Sequence, residues 1–157
     1  MTVCLYIILR FHYCLIFSDG SGSLSSVMAG LNWVAAHHSS KQSGQGISWS
    51  VVNLSLGTPY SSTLNSVTGA LASVDGIIVV VAAGNENANA CNYSPSSCVA
   101  ENVLTVGAST PFDQRASYSN FGELISRICF CSFIRSSSRA HGTIQVHVWI
   151  FLPLDRT

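Results

Sequence analysis

The chain has 157 residues, of which 48% are apolar and 9% are charged, and its formal net charge is zero. This length suits one domain with a core of its own, and the balanced, sparse charge gives no electrostatic basis for binding nucleic acid or an anionic membrane. Residues 1–17 are apolar, but Arg10 and His12 interrupt them. The stretch is too short for a membrane span and lacks a signal-peptide cleavage site. We expect it to be either a buried strand or sequence foreign to the fold.

A first helix is predicted after this stretch. Apolar residues recur at helical spacing over 24–35, and Ser23 or Ser25 can cap the helix N-terminus. The Ser- and Gly-rich segment 39–46 is expected to be the loop that ends the helix. The histidine pair 37–38 then falls at the helix C-terminus, where we expect both rings on the surface, complementing the helix dipole.

Three largely apolar runs predict buried strands at 50–56, 77–83 and 103–108. A second helix is predicted between the first two strands, where apolar residues recur at helical spacing over 64–74, after an entry at Ser61-Ser62. Largely apolar strands that alternate with helices are typical of a parallel sheet covered by helices. We therefore predict a three-layer α/β core.

The run at 77–83 ends abruptly at the pair Gly84-Asn85. A buried strand that stops there brings one amide side chain to the sheet edge, where it can donate a hydrogen bond to a bound group. Gly-Asn is also a common turn pair, so the pair taken alone fits a plain turn equally well.

Five sequence blocks, in family order, resemble the subtilase family of serine proteases, and most closely its proteinase K-like branch. The blocks are GSGSLSSVMAGLNWV (20–34), VVNLSLG (51–57), VVVAAGNENANACNYSP (79–95), NVLTVGAS (102–109) and RASYSNFG (115–122). They span about two thirds of the chain. The resemblance implies a subtilisin-like core that is incomplete at both ends: a partial peptidase domain at 18–122, an apolar segment at 1–17, and a divergent segment at 123–157 that is foreign to the family pattern.

The resemblance also implies roles for individual residues. Asn85 matches the oxyanion-hole asparagine, a donor worth about 3 to 4 kcal/mol of transition-state stabilisation in a subtilisin. A substrate peptide would lie as an extra strand between two cleft segments, with backbone pairing supplying affinity. The matching cleft residues are Ser55, Leu56 and Gly57 on one side and Gly20, Ser21 and Gly22 on the other, and Ala82, Ala83 and Gly84 match the wall of the primary specificity pocket.

The resemblance does not extend to the catalytic triad. Asp19 is the only acidic residue before Asp75 and lacks the family's Asp-Thr/Ser-Gly context, and no Gly-Thr-Ser-Met-Ala motif follows Gly122. The histidine motif is spelled only at His141-Gly142-Thr143, on the wrong side of the domain. We therefore expect a serine endopeptidase by ancestry that is inactive as this chain stands. The alternative is a non-catalytic peptide-binding remnant of a subtilase.

Other function classes have less support. No GxGxxG or P-loop motif indicates a nucleotide site, and we expect no cofactor and no bound metal. The expected partner is a peptide or protein substrate, with no nucleic acid and no membrane span. The resemblance implies a secreted or vacuolar location.

Cys91 matches a half-cystine of some relatives, but Glu123 or Leu124 stands at its partner's position. Its pairing with Cys98, Cys129 or Cys131 stays open.

Overall fold

Helices and strands alternate along the chain in the computed structural model, which describes residues 5–7, 11–12, 23–45 and 49–130. The elements are β1 (Leu5–Ile7), β2 (Phe11–His12), α1 (Leu24–Gln45), β3 (Ser50–Leu54), β4 (Thr58–Pro59), α2 (Ser62–Ala72), β5 (Ile77–Ala82), β6 (Tyr93–Ser94), β7 (Val103–Ser109) and β8 (Ile125–Phe130). A short 3-10 helix, Ala90–Asn92, precedes β6.

One sheet has the strand order β2-β1-β3-β5-β7-β8. The strands β3, β5, β7 and β8 are mutually parallel, and β1 pairs with β3 in the antiparallel sense. The register places Leu54 opposite Val81 and Ala82 opposite Val106. The three predicted strands and the parallel α/β sheet are therefore confirmed. A second, two-stranded sheet pairs β4 with β6.

The main core lies between α1, α2 and one face of this sheet. Its fully buried members include Leu31 from α1, Leu64 from α2, and Val52, Val79 and Val81 from the strands. Apolar residues on successive turns of each helix pack against apolar residues at alternate positions of the strands, so the sheet-facing side of each helix is buried. This core fixes the positions of the strand ends.

The helix starts follow the predicted caps. The Ser23 hydroxyl accepts a hydrogen bond from the backbone N–H of Ser26 (3.1 Å) at the start of α1. The Ser61 hydroxyl accepts one from the N–H of Leu64 (3.3 Å) at the start of α2. Each cap satisfies a donor that has no partner within its helix.

The predicted end of α1 is wrong, because the helix continues through the expected loop 39–46 as far as Gln45. The Ser39 hydroxyl donates to the carbonyl of Ala35 (3.0 Å), and the Ser43 hydroxyl donates to the carbonyl of Ser39 (3.1 Å). Serine side chains that bond back to the preceding turn remain compatible with helical backbone.

The predicted surface position of His38 is also wrong. Because α1 continues past it, His38 lies within the helix and only 3% of it is exposed. Its Nε2 donates to the carbonyl oxygen of Asp75 (2.9 Å), so in the neutral ring Nδ1 accepts from the Ser50 hydroxyl (2.7 Å). One imidazole thus ties α1 to the first residue of β3 and to the turn before β5.

Candidate active site

The carboxyl ends of β3 and β5 meet at one edge of the sheet. The segment 55–57 continues β3, and the segment 83–85 continues β5. The register that pairs Leu54 with Val81 therefore brings these two segments side by side. This is the edge of a parallel α/β sheet where ligands usually bind. The opposite predicted side of the cleft, Gly20, Ser21 and Gly22, lies outside the described residues.

In the predicted cleft segment 55–57, the middle residue is buried and the last residue is exposed. Leu56 is buried, with 5% of it exposed, and holds the segment against the core. The Ser55 hydroxyl accepts a hydrogen bond from Asn53 Nδ2 (2.9 Å). Gly57 is exposed, and a Cβ placed on it would contact only the carbonyl oxygen of Ser94, at 3.8 Å. A methyl group at Gly57 would therefore meet only an ordinary van der Waals contact.

The predicted pocket wall is buried at Ala83 and hydrogen-bonded to two other segments of the described structure. Ala82 is the last residue of β5, and Ala83 is 1% exposed. The Ala83 N–H donates to the carbonyl of Val106 (2.9 Å), and its carbonyl accepts from Asn120 Nδ2 (2.9 Å). The wall thus has fixed bonds both to the sheet and to a segment more than thirty residues further along the chain.

The chain turns sharply at Gly84. Its φ of +107° lies in the region that favours glycine, and a Cβ there would overlap Asn120 Nδ2 and stand 2.6 Å from Glu86 Oε2. Asn85 follows this turn, is half-buried, and donates its backbone N–H to Glu86 Oε2 (2.9 Å). The strand therefore delivers Asn85 to the sheet edge through a turn that only glycine fits.

The sequence reasoning missed Asn120, whose side chain is 1% exposed. Its Nδ2 donates to Ala83 O (2.9 Å) and Glu86 Oε2 (2.7 Å), while its Oδ1 accepts from the N–H groups of Glu86 (3.0 Å) and Ala88 (2.9 Å). The backbone N–H of Asn120 also donates to Gly84 O (3.0 Å). The block RASYSNFG marked this region as family-like, but no local pattern shows which loop a distant asparagine will contact.

Arg115, an exposed residue, also hydrogen-bonds to the loop that follows Gly84. Its guanidinium donates to Asn87 Oδ1 (3.0 Å) and to the carbonyl of Ser119. It also lies over the ring of Phe121, 5.2 Å from the centroid. Asn87 has a positive φ of 50°, so this bond stabilises a turn that few residue types adopt.

The parallel sheet, its helical cover and the Gly-Asn turn at its carboxyl edge form the arrangement that the subtilase resemblance implies. The subtilase family model matches residues 9–131. The chain therefore belongs to the subtilase family.

Individual relatives agree with this assignment. The chain is 47% identical over 108 residues to subtilisin-like serine protease Pen ch 18 of Penicillium rubens and 46% identical over 112 residues to alkaline protease 2 of Aspergillus fumigatus. Each match covers 68% of this chain but only 21% and 22% of the relatives, so the chain spans about a fifth of their length. A crystal structure of a cold-adapted subtilisin-like serine proteinase is 36% identical, with a TM-score of 0.63, over 76% of this chain and 40% of that one.

Neither α1 nor α2 contains a stretch that is both long and apolar enough to cross a bilayer.

Two described thiols differ in their exposure to solvent, which bears on the open disulfide question. Both are free within the part of the chain that the structure describes; Cys91 is exposed and Cys98 is buried. The Cys98 thiol donates to the carbonyl of Asn65 (3.3 Å), and burial raises its pKa.

We expect iodoacetamide at pH 8 to alkylate Cys91 in the native protein at least about tenfold faster than Cys98, because the thiolate is the reactive species. Peptide-resolved mass spectrometry would measure both rates, with the unfolded protein as the control in which the two rates converge. An unreactive Cys91 that becomes reactive after reduction would instead show that it is in a disulfide.

Proposed function

We propose that this chain carries one side of the substrate cleft and the oxyanion donor of a subtilisin-like serine endopeptidase. In this proposal, Ser55, Leu56 and Gly57 pair with an extended peptide, Ala82, Ala83 and Gly84 line the primary specificity pocket, and Asn85 donates to the scissile carbonyl oxygen. The observation that carries it is the parallel register of β3 and β5, which brings the segments 55–57 and 83–85 to one edge.

The proposed chemistry follows from this placement. A peptide that extends the sheet beside Gly57 would direct its scissile carbonyl towards the turn after β5. Attack on that carbonyl places negative charge on its oxygen. An amide donor held in place before the reaction stabilises this charge by about 3 to 4 kcal/mol without reorganising.

We further propose that the chain, as it stands, binds peptide without cleaving it. Hydrolysis requires a serine activated by an oriented base, and the sequence contains no family-like Asp, His or Ser motif at the expected places. We expect no turnover of chromogenic peptide substrates. Turnover that a serine-directed organophosphonate abolishes would overturn this part of the proposal.

Peptide binding can be tested separately through Gly57. Replacing Gly57 with alanine adds a methyl group where the protein itself has room, since the nearest atom is 3.8 Å away, but the methyl obstructs a peptide backbone approaching that edge. Fluorescence anisotropy with labelled extended peptides should show an affinity lowered by about tenfold or more, an amount that matches a loss of one or two backbone hydrogen bonds. The melting temperature should not change.

Gly44→Ala is the matched control, because a Cβ at Gly44 meets nothing within 4 Å and the residue lies in α1. Its peptide affinity should equal that of the unmodified chain. Equal affinities for the Gly57 and Gly44 variants would place any bound peptide elsewhere on the protein.

A further inference from the structure

The amide of Asn120 makes every hydrogen bond that its chemistry allows. An asparagine side chain has two donors and two acceptor lone pairs. In Asn120 the donors bond to Ala83 O and Glu86 Oε2, and the acceptors bond to the N–H groups of Glu86 and Ala88. These partners lie before and after Asn85 along the chain, so one side chain spans the whole turn.

The orientation of this amide is fixed by its partners. A flipped amide would direct its NH₂ group at two backbone N–H groups and its oxygen at a carbonyl and a carboxylate. Backbone bonds reinforce the same contact, because Asn120 N donates to Gly84 O (3.0 Å) and Asn87 N donates to Tyr118 O (2.9 Å). A buried, fully bonded amide of this kind specifies one loop conformation.

We propose that Asn120 is a positioning residue that holds the loop 83–88 in the conformation that presents Asn85 to substrate. That this loop presents Asn85 to substrate rests on the proposed function. That Asn120 holds the loop rests on the hydrogen bonds alone. Asn120 acts through the loop and makes no contact with the peptide.

The substitutions Asn120→Asp and Glu86→Gln, alone and combined, test whether Asn120 holds the loop. Asn120→Asp has nearly the same shape, but its carboxylate loses both donors and faces Ala83 O and the Glu86 carboxylate. Adding Glu86→Gln supplies an NH₂ donor to the introduced carboxylate, but at the expense of the bond from Asn85 N, because Asn85 N and Asn120 Nδ2 both contact Glu86 Oε2. The single variant Glu86→Gln is the reference for the double variant, because its amide oxygen can accept from both Asn85 N and Asn120 Nδ2.

Two measurements separate the loop from the ligand. Backbone hydrogen exchange at Glu86 and Ala88, resolved by NMR, should become at least about tenfold faster in Asn120→Asp, and the double variant should recover part of the protection. The affinity for extended peptides should fall and recover in parallel. Asn102→Asp is the control, because Asn102 Nδ2 donates to Ala72 O (3.1 Å) near the start of β7, at the other end of the sheet; it should leave loop exchange and affinity unchanged.

The outcomes decide between the two proposals. Unchanged exchange in Asn120→Asp, or no recovery with Glu86→Gln, would overturn the positioning role even if peptide binds. Faster exchange with recovery, in a protein that binds no peptide, would support the loop-holding role and refute the proposed function.

Discussion

Replacing Gly84 with alanine is expected to lower the free energy of unfolding by about 3 kcal/mol, the largest effect we expect from adding a single methyl group. The backbone at Gly84 has a φ of +107°, which strains any residue with a Cβ. The added Cβ would also overlap Asn120 Nδ2 and approach Glu86 Oε2 to 2.6 Å. The loop must therefore either change conformation or give up its bonds to Asn120.

This destabilisation should appear as a melting temperature lowered by roughly 6–12 °C, the shift typical of that energy in a domain of this size. Peptide binding should be lost as well, because the same turn places Asn85. Gly44→Ala provides the matched control: it lies near the end of a helix in open space, where alanine should stabilise the protein by up to about 1 kcal/mol. Equal melting temperatures for the two variants would contradict the turn geometry described for Gly84.

Replacing His38 with alanine is expected to cost about 3 kcal/mol of stability. The substitution removes a buried ring and leaves the Ser50 hydroxyl and the Asp75 carbonyl without the bonds that the ring provides. These two bonds join α1 to the start of β3 and to the turn before β5. We expect an unfolding midpoint in urea that is clearly lower, with an unchanged slope, because the extent of the core stays the same.

The adjacent residue supplies the control. His37 is half-buried and stacks on the half-exposed ring of Trp33, with 4.6 Å between ring centroids. His37→Ala should therefore cost less than about 1 kcal/mol. A larger effect at His37 than at His38 would mean that α1 is rotated relative to the sheet from the arrangement described here.

Much of the fold was predictable because its signals are local. The strands at Ser50–Leu54, Ile77–Ala82 and Val103–Ser109 are largely apolar runs, and α2 begins at the expected cap. The end of α1 was not predictable in the same way. Its serines favour loops in isolation, but here their hydroxyls bond to the preceding helical turn, and packing of the helix on the sheet outweighs weak propensity.

In the candidate site, too, the local features were predictable and the contacts between distant residues were not. Gly84-Asn85 stood out because the break between an apolar run and a polar turn is visible over a few residues. The partners that hold this turn are Asn120 and Arg115, which lie about thirty residues away. A single sequence gives no distance between such residues, so it does not reveal that they share a loop.

The sequence by itself determined the family, the order of the strands along the chain and the position of the amide after β5, because each depends on residue type at short spacing. The tertiary structure decided which strand ends adjoin, which of two neighbouring histidines is buried, and which asparagine holds the loop. Those features depend on contacts between segments far apart in the chain. Such contacts form only when the sheet and its helices bury a common core.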